Sequence, residues 1–493
     1  MTYIELLWND LNITHYSTTH VPMSEFVSPT SVLHRSHPLS VAPMIQWTDS
    51  HFRNLLRSLA AKPLLYTEMI MDTALTGQWH YRGQDLSLLR PWLVASPAEH
   101  PLAVQLGGGG IDATSPTSPA GSLPKIIGGI NQESCETLAE ASALVVAYNN
   151  SVSGIPLAEL NINSGCPSNK ALRGGFGADL MRASSQDHTR AAVSAVVRQV
   201  GSSTNVSVKC RIGVLSKGEP ADSRLDYPSL CSYVAAVKAA GVSKLIVHSR
   251  ICVLSGLSTG ANRTVPPLKY DVVRALVRDF PDMEFVLNGG VCTLAEAESL
   301  LGITSPRQVF DRRPPPREKE SPERDMVSYG FQSFDWELEG KGGRGDYFPG
   351  GCMIGRAVYN DPGLYHDADE RFYGAPTNYK TWSEVLDEYF AYAAGLDSHK
   401  NNNFNSVVKP LHNVFTGQLR NREYKQALNA ATREETQRVK KLEKGVVIHK
   451  GDEEILERLV RRALEGTIAK KVLDSPVRDT RPGSHYHQNV VRK

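Results

Sequence analysis

The chain has 493 residues, 41% hydrophobic and 22% charged, with a formal net charge of +2, which is the balance of a soluble globular enzyme. No apolar run approaches the roughly 18 to 20 residues of a membrane helix, so a spanning segment is excluded. The seven cysteines stand singly, without the close spacing of a zinc site or a redox dithiol. Neither a metal site nor a disulfide framework is therefore expected, and a reducing compartment, the cytoplasm, fits best.

Residues 1–38 read as a flexible N-terminal extension. They lack the charged start and apolar core of a secretory signal, and Glu5, Asp10 and Glu25, with no Arg before Arg35, count against a transit peptide. Eight short apolar, β-branched runs follow, at 39–45, 64–70, 102–108, 157–163, 205–213, 244–250, 284–290 and 351–356. Helical periodicity lies between most of them. Eight alternations of strand and helix predict a TIM (β/α)8 barrel over 39–375, with an open doubly wound sheet as the alternative. Two segments, at about 109–130 and 305–349, are rich in Gly, Ser, Pro or charge and lack periodicity, so they are expected to be mobile surface insertions. An all-helical domain is expected over 376–445, then a charged extension over 446–493 made of a charged helix and a basic tail. From 401 onward, 19 Lys or Arg face 11 Asp or Glu. That local excess suggests a polyanion contact.

The chemistry of such a barrel sits where its strands end, because the loops there converge on one pocket. Pro43 and Met44 close the first strand and Gln105 the third. The fourth runs into Asn163 and a turn holding Cys166. Lys209 and Arg211 lie on the fifth, His248 ends the sixth, Asn288, Gly289 and Gly290 end the seventh, and Gly355 and Arg356 end the eighth. Singly, a strand-end Lys or His is more often a structural hydrogen-bonder, the glycines can be turn residues, and Cys166 can be a small buried hydrophobe. Polar groups at so many strand ends are harder to explain as core filling. Glycines after strands seven and eight are where this fold holds a phosphate.

The segments APMIQWTD (42–49), VQLGG (104–108), LNINSGCPS (160–168), GGFGADLM (174–181), VKCRIG (208–213), NRTVPPLKY (262–270) and MIGR (353–356) occur in one order. In that order the chain resembles the tRNA-dihydrouridine synthases, most closely the DusA-like subfamily. The resemblance implies an FMN barrel with a helical tRNA-binding domain, NADPH as reductant, tRNA as partner and a monomeric enzyme. Pro43, Met44 and Ile45 would line the flavin ring. Gln105, Lys209 and His248 would bond its polar edge, and Asn288, Gly289, Gly290, Gly355 and Arg356 would hold its phosphate. Reducing the uracil double bond needs a hydride at carbon 6 and a proton at carbon 5. Cys166 matches the family's acid, and an ordinary thiol keeps its proton at neutral pH. Asn163 would contact the flipped nucleotide, and Arg263, Arg422 and Lys425 the tRNA, whereas Gly260 stands where the family places a loop lysine. No GxGxxG turn follows a strand, so a separate nicotinamide domain is not expected. Two rival readings are an FMN barrel acting on a free pyrimidine and a tRNA-binding protein without catalysis.

Overall fold

The computed structural model describes residues 37–93, 96–113, 123–215, 226–254, 256–303, 348, 350–376, 378–396, 404–442 and 453–481. The extension before 37, nearly all of 305–349 and the stretch after 481 lie outside the described residues, as do 114–122. The described residues from His37 onward form one compact unit.

Eight parallel strands close into a barrel: β1 (Leu39–Val41), β2 (Leu64–Met71), β3 (Leu102–Gly107), β4 (Glu159–Ser164), β5 (Val206–Arg211), β6 (Lys244–His248), β7 (Glu284–Asn288) and β8 (Cys352–Ile354). Each pairs with its neighbours in sequence, and β8 returns to β1 through Leu39–Cys352 and Val41–Ile354. The open-sheet alternative is thereby excluded. β3 is buried along its whole length, as a strand covered by helices on one side and the barrel interior on the other must be.

The interior is layered. At the floor Glu159 pairs with Lys244 at 2.8 Å, and Lys244 with Glu284 at 3.6 Å. Above them Ala42, Tyr66, Ala103, Ile246, Val286 and Met353 pack as an apolar plug. The next residues along the same strand faces, among them Gln105, Lys209, His248 and Asn288, open into a cavity. The plug thus separates an ion-paired floor from a polar mouth.

Helices wrap the barrel. α1 (Ser50–Leu59) starts at Asp49, whose carboxylate accepts from the Phe52 N–H at 2.9 Å. It is also the platform for the helical region, where α2 (Trp382–Ala394) carries a capping box between Thr381 and Glu384. His51 Nδ1 and the Tyr392 hydroxyl lie 2.9 Å apart across this contact, and Lys380 Nζ donates to the Ser58 carbonyl at 3.2 Å. α4 (Glu453–Leu464) packs beside α2, and α3 (Asn421–Leu442) packs against α4.

Helical structure therefore continues well past 445. α4 buries Leu456, Leu459, Val460 and Ala463. After it the chain turns back, so that Trp382 Nε1 donates to Thr480 Oγ1 at 3.2 Å and Gln418 Nε2 to the Thr480 carbonyl at 2.6 Å. The described ends of the 109–130 segment are also structured. Gly109 is buried, its N–H donating to Asp72 at 2.9 Å and its carbonyl 2.7 Å from His188 Nε2. Residues 126–131 form a short hairpin exposing Ile127. Gly110 packs closely against Gly174 and Gly175, whereas Gly128 and Gly129 stand exposed in the hairpin turn with open space around them.

Candidate active site

A cavity of about 740 Å³ occupies the mouth where the strands end, a size suited to a cofactor-sized ligand. Pro43, Met44 and Ile45 form one wall, in a tight turn whose Met44 N–H donates to Thr48 Oγ1 at 2.9 Å. Gln105, Asn163, Cys166, Lys209 and His248 line the inner side. Asn288, Gly289, Gly290, Gly355 and Arg356 line the end formed by β7 and β8, and Arg263 lies at the rim. With Arg211, fifteen of the residues singled out in the sequence thus share one cavity.

Cys166 is positioned by its backbone. Asn163 Oδ1 accepts from the N–H of Gly165 at 3.1 Å and of Cys166 at 3.0 Å, closing the turn after β4. The Cys166 carbonyl accepts from the Ala178 N–H at 3.1 Å. Gly177 makes this approach possible: its φ is +65°, and a Cβ there would fall 2.8 Å from the Cys166 carbonyl oxygen. Cys166 Sγ, half-buried, lies 3.4 Å from Ser168 Oγ. Arg211 secures the turn from below, donating through Nε to the Gly165 carbonyl at 3.3 Å and through Nη1 to the Asn262 carbonyl at 2.9 Å.

The cavity is cationic. Lys209 has no acceptor among the described residues, and burial, reinforced by the Arg211 charge, lowers its ammonium pKa to about 7. Burial, with Arg211 and Lys209 nearby, also holds the His248 imidazole well below its usual range, hence neutral. At the β7–β8 end, Asn288 Nδ2 donates to the Met353 carbonyl at 2.9 Å. Gly289 and Gly290 take φ of +112° and +77°, and a Cβ at Gly289 would come within 2.7 Å of His248 Cδ2. The N–H groups of Gly290 and Gly355 have no acceptor among the described residues. Arg356 donates to the Arg263 carbonyl at 3.2 Å. Free N–H donors and an unpartnered buried ammonium suit a planar ligand carrying a phosphate.

Arg422 and Lys425 do not line the cavity. Arg422 is exposed on α3, whereas Lys425 is half-buried and donates to Asn413 Oδ1 at 2.9 Å. Conversely, the cavity includes Met69, Cys292, Thr293, Asn360, Asp361 and Thr416, which sequence reasoning passed over. Asp361 comes from a loop with no motif of its own, and Thr416 from the loop that leads into α3. Cys292 and Thr293 stand just beyond the glycine pair, after Val291, and were within reach. Among the described residues no cluster could hold a metal ion, and no helix is long and apolar enough to cross a membrane.

Comparison with known proteins adds to this geometry. The family model described as dihydrouridine synthase (Dus) matches residues 40–115 and 129–310. A Pseudomonas putida protein named tRNA-dihydrouridine(20/20a) synthase is 33% identical over 71% of this chain and 76% of its own length. Proteins of the same name from Escherichia coli K12 and Synechocystis are 36% identical over 70% of this chain and 72% of their relative, and 30% over 80% and 90%, respectively.

Proposed function

Because this chain belongs to the dihydrouridine synthase family, we propose that it is a flavin-dependent tRNA-dihydrouridine synthase that uses FMN and NADPH. The observation that carries the reading is the placing of Cys166, on a turn pinned by Asn163, over the same cavity as the unpartnered Lys209 and the Gly290 and Gly355 N–H donors. Reduced FMN would supply hydride to carbon 6 of a uracil.

The chain's own residues account for the rest. Pro43, Met44 and Ile45 would cover the ring, with Gln105, Lys209 and His248 at its polar edge. Lys209, neutral or charged near pH 7, can answer negative charge on a bound ligand by taking up a proton. Asn288, Gly289, Gly290, Gly355 and Arg356 would hold the phosphate, the N–H donors through hydrogen bonds and Arg356 through charge. Cys166 would hold the proton for carbon 5, and Asn163 would face the base once it is flipped from the RNA. Arg263 at the rim and Arg422 and Lys425 on α3 would meet the tRNA backbone. Since the relatives are named for positions 20 and 20a, we assign D-loop uridines as substrates.

Cys166→Ala tests the assignment. FMN content and flavin reduction by NADPH should stay near wild type, while dihydrouridine formation falls by about 10²- to 10⁴-fold, the span of a positioned acid. Flavin reoxidation by tRNA in single turnover, with mass spectrometry of the uridines, reads the effect. Full-rate reoxidation in the variant refutes the role of the thiol, and a purified chain that takes up no FMN refutes the reading as a whole.

A further inference from the structure

A continuous hydrogen-bonded chain crosses the apolar plug from the barrel floor to the catalytic turn. Glu159 accepts from the hydroxyls of Tyr66 and Ser207 while paired with the Lys244 ammonium at 2.8 Å. Ser207 Oγ accepts from Asn161 Nδ2 at 2.7 Å, and Asn161 Oδ1 from Gln105 Nε2 at 2.7 Å. Gln105 Oε1 accepts from Asn163 Nδ2 at 2.9 Å. Asn163 Oδ1 is then the atom left to receive the N–H groups of Gly165 and Cys166. Glu159, Asn161 and Asn163 alternate along β4 and so share its inner face, spanning about 13 Å of strand at roughly 3.3 Å per residue.

The direction of every link follows from the first. An ion-paired carboxylate only accepts, so the single Ser207 hydrogen points to the floor and its lone pair faces Asn161. Each amide above has one donor end and one acceptor end, so fixing one fixes the next. Without the floor anchor the relay is held only from above, by the two N–H groups on Asn163 Oδ1, and an Asn163 turned end for end would present NH2 to them, donor against donor.

We propose that Glu159 and Ser207 are positioning residues for Cys166, setting from the barrel floor the polarity of the Asn161–Gln105–Asn163 relay that seats its turn. The same polarity leaves Gln105 and Asn163 each with one spare amide hydrogen, so they offer donors to the cavity and favour a ligand edge of carbonyl oxygens. The inference deepens the role given to Cys166 and rests on that reading for its meaning. Its test needs no turnover.

The test is the rate at which iodoacetamide modifies Cys166 in the full-length protein as purified, resolved by peptide mass spectrometry, with Cys292 in the same cavity as internal reference. Ser207→Ala should accelerate modification of Cys166 by about tenfold, the size set by one lost buried hydrogen bond, and leave Cys292 unchanged. The near-isosteric pair Ser207→Thr and Ser207→Val separates hydroxyl from shape: threonine should keep the wild-type rate and valine should match alanine. Val286→Ala, which opens the same plug off the relay, should leave Cys166 at its wild-type rate. The proposal fails if valine and threonine behave alike, if Val286→Ala accelerates Cys166 equally, or if both cysteines accelerate together.

Discussion

Lys209 is a cation that no anion of the described chain neutralises, and this gives the site a pH signature. Its pKa in the fold is about 7 against 10.5 unperturbed. Between those values an unfolded chain keeps a proton that the ligand-free fold has released, so Lys209 makes the ligand-free protein more stable as pH rises through that window. An anionic ligand reverses the balance by drawing the proton back. Affinity for FMN should therefore weaken as pH rises above 7, by up to about tenfold per pH unit while binding takes up one proton. Fluorescence titrations from about pH 6 to about pH 9 should show this slope in the wild type and lose it in Lys209→Met. A slope that persists in the variant assigns the proton to another group. Residues such as Lys209, Cys166 and Gly289 were legible in sequence because each ends an apolar run, where a polar side chain or a glycine stands out. Asn161 and Ser207 were not, because they lie inside strands and matter only through partners on neighbouring strands. A trace was present: Glu159, Asn161 and Asn163 put three polar groups on one face of a strand whose other face carries Leu160, Ile162 and Ser164.

Elements were easier to read than their ends or their company. All eight barrel strands were legible, since each is a run of apolar, β-branched residues bounded by turn signals. The two-residue pairings at Val214–Leu215 with Cys252–Val253, and at 126–131, were missed because so short a pairing carries no periodicity. The charged helix expected after the helical domain is α4, legible because Leu456, Leu459, Val460 and Ala463 recur at helical spacing among Glu and Arg. Helix α3 shows the limit of reasoning from spacing. Arg422 and Lys425 are three residues apart, yet only Arg422 is free to reach a large anion. Lys425 is tied to Asn413, whose own amide donates to the Tyr359 carbonyl at 3.0 Å beneath the Trp47–Tyr359 stack. Arg422→Glu should weaken tRNA binding, lower the slope of log affinity against log salt by about one, and spare the melting temperature. Lys425→Glu should instead lower the melting temperature. Filter binding across a salt series, with thermal melts of both variants, checks the division. Equal melts and equal salt slopes would return the two residues to a single role.

At the scale of the whole molecule, barrel and helical region share one compact unit, and the last described turn reaches the cavity rim. Arg481 Nη1 meets Asp361 Oδ1, with side-chain exposures of 9% and 15%, and Asp361 lines the cavity. Arg481 also packs over Gly363, where a Cβ would come within 2.9 Å of its guanidinium. Arg481→Ala should cost about 3 kcal/mol, as for breaking a buried ion pair, and denaturant unfolding should show it. A double-mutant cycle with Asp361→Asn should return a coupling well above the values of exposed pairs; additive effects would mean that Arg481 stabilises the rim by packing alone.

That contact also fixes when the site can first be whole. A polypeptide emerges from the ribosome N-terminus first, so the barrel strands and the Cys166 turn are in the open while residues 476–481 are still being synthesised. The rim waits for them. The barrel strands and the Cys166 turn, made first, stay without the Arg481–Asp361 contact until that later segment has followed them.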